Sequence, residues 1–128
     1  MSLVVRAFPV LPGMEREVRR FAKELSGPRR QEAAVFYRSF GVRRESWHLQ
    51  QTPQGPLVIS VTEVEEPEVK APQYAQSTRQ FDLWYKDQVR RLSGVDPEIE
   101  PLGPPTEALF EFHDDGASAE ALDATRDH

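Results

Sequence analysis

Between Leu57 and Glu65 the chain reads LVISVTEVE. Leu57, Ile59 and Val61 fall on one side of an extended strand, and Val58, Ser60, Thr62 and Val64 on the other, with no Gly or Pro inside. One side is wholly apolar and has to be covered. The other carries two hydroxyls and faces something more polar, which makes it the expected functional surface. The rest of the chain is read around this strand.

Leu3 to Val10 predicts a first strand, with Pro9 near its end. Pro12-Gly13 turns the chain. Met14 to Ser26 is helical, with Val18, Phe21, Ala22 and Leu25 as its apolar stripe. Ser26-Gly27-Pro28 interrupts it, and a second piece runs from Pro28 to Phe40. Glu45 to Gln51 predicts a second strand, with Trp47 and Leu49 opposite Ser46, His48 and Gln50. Thr52-Pro53-Gln54-Gly55 closes it as a hairpin with the central strand. Glu66 to Pro72 reads as an acidic loop and Gln73 to Leu92 as one long helix. A proline-rich arm follows. Glu107 to His113 then alternates Ala108, Phe110 and Phe112 against Leu109, Glu111 and His113, predicting a last strand.

This order is βαββαβ, with the first helix in two pieces. It predicts an α+β, ferredoxin-like domain over residues 1–113: a four-stranded antiparallel sheet with both helices on one face. The helices are expected to cover Leu3, Val5, Ala7, Trp47, Leu49, Leu57, Ile59, Val61, Ala108, Phe110 and Phe112. The opposite face, with Val4, Phe8, Val58 and Leu109, is too apolar to leave in water, so a homodimer through that face is expected. Residues 114–128 read as an acidic, loosely structured tail.

Charge and composition exclude several classes. Most of the net charge of −5 sits in the tail, where five acids accompany one arginine. Nine basic residues between Met14 and Arg44 interleave with four acids, as in Glu15/Arg19 and Arg20/Glu24, and read as solvated helix faces rather than a phosphate site. Asp82 and Lys86 read likewise as a surface pair. There is no cysteine, hence no disulfide, thiol catalysis or thiolate metal site. No apolar run reaches the roughly 20 residues of a membrane span, and the start of the chain does not read as a signal peptide. A cytoplasmic location and no contact with membrane or nucleic acid are expected.

The chemistry-bearing residues of the mixed face are Arg6, His48, Ser60, Thr62, Glu111 and His113. His48 and Glu111 are the catalytic candidates, His48 as general base near neutral pH. Arg6, Ser60, Thr62, His113 and Trp84 are the ligand-binding candidates. The reading preferred over catalysis is a salt bridge that fixes the dimer register, beside a surface histidine. Glu111 and His113 lack a diagnostic metal spacing, and no metal or other cofactor is expected.

The opening VVRAFPVLPGMEREVRRF, the hairpin WHLQQTPQGPLVISVTEVE and the stretch FDLWYKDQVRRLSGVDPEIEPLGPPTEALFEF resemble the dimeric α/β-barrel superfamily, which includes antibiotic-biosynthesis-monooxygenase-like proteins. The last stretch is most similar to a bacterial family within it that has no assigned function. The resemblance spans residues 3 to 113. It implies a dimeric barrel that binds or converts a small apolar or aromatic molecule without a prosthetic group, in the manner of a monooxygenase. The alternative it leaves open is a non-catalytic binding or structural dimer.

Overall fold

The computed structural model describes residues 1–114. The elements in order are β1 (Ser2–Pro9), α1 (Glu15–Ser26), α2 (Arg30–Ser39), β2 (Val42–Thr52), β3 (Gly55–Val64), α3 (Pro67–Gln76) and α4 (Gln80–Ser93). The chain is α+β, with a three-stranded antiparallel sheet in the order β1-β3-β2 and four helices. β3, the strand that opens the sequence argument, is the middle one.

The four-stranded ferredoxin-like barrel is therefore corrected. Residues 107–113 form no strand, and Leu109, Phe110 and Phe112 are exposed. Alternation supplies strand propensity; a strand also needs a partner edge with matching donors. The arm before this segment runs Pro101, Leu102, Gly103, Pro104, Pro105, and prolines donate no backbone hydrogen bond. The free edge of β1 meets a side chain instead: the Thr106 hydroxyl donates to the Val5 carbonyl. The acidic tail beyond Asp114 lies outside the described residues.

The faces of β1 and β3 are also the reverse of the expected ones, whereas Trp47 and Leu49 of β2 face the helices as expected. β2 and β3 are closed by a two-residue turn, with Thr52 opposite Gly55, so Trp47 stands opposite Ser60 and Leu49 opposite Val58. Val4, Phe8, Trp47, Val58, Ser60, Thr62 and Val64 all lie on the inner face, under the helices. Phe21 of α1 packs on Trp47 with ring centroids 5.3 Å apart, and Tyr85 of α4 at 6.5 Å. The predicted dimer face, with Val4, Phe8 and Val58, is thus the one the helices cover. The uncovered face carries Leu3, Val5, Ala7, Leu57, Ile59 and Val61, beside Ser46, His48 and Gln50 of β2.

The core is aromatic. Phe21, Phe36, Tyr85 and Leu92 are buried at its centre. Phe36 alone neighbours Tyr37, Phe40, Tyr74, Phe81 and Tyr85, with centroids 4.5 to 5.6 Å apart. The solvent faces of α1 and α2 carry the interleaved charges, pairing Arg19 with Glu15 and Arg29 with Glu24 and Glu32; Arg20 reaches Glu17 rather than Glu24.

The single long helix is also corrected. Pro67 starts α3 at a position where its missing N–H costs nothing. The chain then breaks at Ser77–Arg79, where both flanking residues take extended backbone angles. Lys86 on α4 lies under the break. Its Nζ is buried and donates to the carbonyls of Ala75 and Ser77 at 3.1 and 2.8 Å. Asp82 is buried too and accepts from Arg79 Nε at 2.7 Å. The two residues expected to be a surface pair are instead buried: Lys86 ties α3 to α4 from inside, and Asp82 holds Arg79 at the start of α4.

Candidate functional site

The inner sheet face and the helices do not close fully on one another. They leave a cavity of about 160 Å3, floored by Val4, Phe8, Trp47, Val58, Ser60 and Thr62 and roofed by Phe21, Phe36, Tyr37, Tyr74, Tyr85 and Leu92. Pro97, Pro101 and Leu102 of the arm wall one end; Pro67, Lys70 and Ala71 contribute from α3. A cavity of about 150 Å3 lined by apolar side chains takes up benzene, so this one has room for a single aromatic ring.

Few polar groups face this space, and register places them. Glu45 stands opposite Thr62, and Trp47, two residues on, opposite Ser60. Glu45 Oε1 accepts from Thr62 Oγ1 at 2.6 Å, and Oε2 accepts from Trp47 Nε1 at 2.7 Å. The hydroxyls of Tyr37 and Tyr85 bond each other at 2.8 Å. Ser60 is buried, and among the described residues its hydroxyl has no hydrogen-bond partner.

Burial dominates the titration of these groups. It raises the pKa of Glu45 above the ordinary glutamate value, and the donors Thr62 and Trp47 oppose it without prevailing. The phenols of Tyr37, Tyr74 and Tyr85 are pushed up in the same way, with Glu45 itself contributing, so all three stay neutral hydroxyls. Glu45 also lines a second, more open groove of about 500 Å3 with Leu25, Ala34, Arg38 and Arg44, so it stands in the wall between the cavity and solvent.

A pH dependence follows. A carboxyl with a raised folded-state pKa contributes stability in full below its unfolded value and loses it as pH rises through the folded one. Glu45→Gln keeps the shape and the acceptor for Trp47 but cannot titrate. The stability of wild type relative to Glu45→Gln is expected to fall as pH rises from the ordinary glutamate range, then level off. Urea unfolding of both proteins across pH checks this, and a constant difference contradicts it.

The residues expected from sequence separate. Ser60 and Thr62 line the cavity. Arg6 is the cross-strand partner of Ser60, but its guanidinium reaches the sheet edge, donating to the Val5 carbonyl at 3.0 Å and to Thr106 at 3.4 Å; its Nε is buried without a partner. His48 is exposed on the uncovered face, 3.1 Å from the Ser46 hydroxyl. Glu111 and His113 sit 3.7 Å apart on the exposed end segment, and no hydrogen bond or ion pair joins either to His48. Trp84 packs on Phe21 and Phe81 beneath Arg29, whose guanidinium lies 4.0 Å from the ring centre. Among the described residues no cluster of three acidic or histidine side chains is placed to hold a metal. None of their helices is long and apolar enough to cross a membrane.

Sequence reading missed Glu45 and Tyr74 as members of a site, whereas an aromatic pocket of Tyr37, Trp47 and Tyr85 can be read from the sequence beside the plainer reading of these rings as core. The available signal was the hairpin itself: a two-residue loop fixes which β2 side chains share a face with Ser60 and Thr62, and these are Trp47 and Glu45.

Compared with known proteins, the chain matches no protein-family model, no curated protein and no solved structure. The resemblance to the dimeric α/β-barrel superfamily therefore rests on the sequence motifs alone.

Proposed function

We propose that this protein binds a small, largely apolar molecule, about one aromatic ring in size, between its sheet and its helices. The observation that carries the reading is a ring-sized aromatic cavity into which a hydroxyl, Ser60, and a largely buried carboxyl, Glu45, both face. Ligand sites have this make-up: mostly apolar walls with a few placed polar groups. The chemistry such a site supports is proton transfer to or from Glu45 in a water-poor setting.

Benzyl alcohol is a suitable probe. At ten times its dissociation constant it should raise the wild-type melting temperature by several degrees, since such saturation is worth about 1.4 kcal/mol. Ser60→Leu fills the cavity with an apolar side chain and removes the hydroxyl. It should fold and lose that rise. A Ser60→Leu protein that responds to benzyl alcohol like wild type would place the ligand elsewhere.

A second copy of the chain is the partner that the uncovered sheet face favours. Val5, Ala7, Ile59 and Val61 form an apolar strip that no helix covers, with Leu3 more than half exposed beside it. Two such faces packed about a two-fold axis would bury both strips and set the polar rim of Ser46, His48 and Gln50 at the margin. Light scattering at micromolar concentration is expected to give a dimer, and Val61→Lys a monomer. A wild-type monomer would remove this interface.

A further inference from the structure

Thr62 and Trp47 satisfy the oxygens of Glu45 as acceptors, but neither can neutralise its charge. Among the described residues no Lys, Arg or His pairs with it. A carboxylate drawn away from water without a counter-charge is costly, and native structures usually supply one. Here the nearest surroundings are rings: Tyr37, Trp47, Tyr74 and Tyr85 line the same cavity. A carboxylate within aromatic walls is the arrangement that receives an organic cation, because ring faces attract positive charge and the carboxylate pairs with it.

Among the described residues, no other ionisable group around Glu45 forms an ion pair with it. Tyr37 from α2, Tyr74 from α3 and Tyr85 from α4 are held neutral by burial. Lys70 and Glu100 also line the cavity, from α3 and from the arm. Arg38, Arg43 and Arg44 line the outer groove, and Arg43 is engaged with Glu65 at 2.8 Å.

We infer that the ligand of this cavity is a small organic cation, an ammonium ion carrying about one ring, whose charge pairs with the Glu45 carboxylate. The inference rests on the binding reading above and adds the ligand's charge to it. It also fixes a direction. A cation favours ionised Glu45, so its affinity rises as pH rises through the pKa of Glu45, and binding below that point releases one proton to solvent. A neutral molecule of the same shape has no such dependence.

Calorimetry of the full chain with benzylamine, protonated from about pH 5 to 8, and with its neutral counterpart benzyl alcohol tests this. Benzylammonium should bind about tenfold more tightly than benzyl alcohol at the upper end, the scale of one hydrogen bond to a charged group, and lose that advantage toward acid. Titration in two buffers of different ionisation enthalpy should show the released proton. Glu45→Gln should weaken benzylammonium about tenfold, flatten its pH dependence and leave benzyl alcohol unchanged. If Glu45→Gln fails to fold, the proton count on wild type decides. Equal or tighter binding of benzyl alcohol, or pH-independent binding of benzylammonium, overturns the cation while leaving the cavity as a ligand site. Binding of neither overturns both.

Discussion

Gly103→Ala is expected to destabilise the protein by about 3 kcal/mol, lowering the melting temperature by roughly 10 °C. Two causes act together. Gly103 has φ +87°, a conformation that costs a side-chain-bearing residue about 1–2 kcal/mol. In addition, a Cβ there would stand 2.3 Å from Cζ of Phe8 and 2.7 Å from Cε1. Phe8 can escape only by moving, and it lines the cavity. The substitution should therefore also weaken the response to benzyl alcohol. The buried Val95 and Pro97 and the Arg90 ion pairs to Asp96 and Glu98, each 2.9 Å, anchor the start of the arm; Gly103 fixes its far end against β1. Thermal unfolding of Gly103→Ala within a degree or two of wild type would show that the arm is not seated on Phe8.

Lys86→Ala should cost a similar amount, about 3–4 kcal/mol. It deletes a buried aliphatic stem and leaves the carbonyls of Ala75 and Ser77 without their donor where α3 ends. Lys86→Met restores most of the volume but not the donor, and should fall between the two. If chemical denaturation placed Lys86→Met level with wild type, the ammonium would not be what joins α3 to α4.

These two residues mark where the sequence was legible and where it was not. The strands around Val5, Trp47 and Ile59 and the helix around Phe21 follow from local alternation and periodicity, which tertiary packing here reinforces. The turn at Pro53-Gln54 was legible too, but its consequence for parity was not drawn. A two-residue loop sets Trp47 opposite Ser60, not opposite the Leu57/Ile59 side, and that reverses which face of β1 and β3 the helices cover. Lys86 could not be read from its chemistry, since an i, i+4 Asp and Lys pattern normally faces solvent. Its burial depends on carbonyls freed by a helix break at Ser77, which no residue type announces. Residues 107–113 carry a strand's alternation, but pairing depends on an edge partner, and the neighbouring edge of β1 is met by Thr106. Ser60 and Thr62 were found because their hydroxyls interrupt an apolar strand. Glu45 was passed over because a charge at a strand's start normally faces water.

The chain contains two tryptophans, one on each side of the question. The Trp47 indole N–H donates to Glu45 at 2.7 Å within the cavity wall. Trp84 packs against Phe81 and Arg29, away from it. In a nitrogen-15 correlation spectrum, titrating benzyl alcohol should move the Trp47 indole resonance progressively and leave that of Trp84 in place. Movement of Trp84 with Trp47 unchanged, or of neither at saturating probe, would contradict a ligand site between the sheet and the helices.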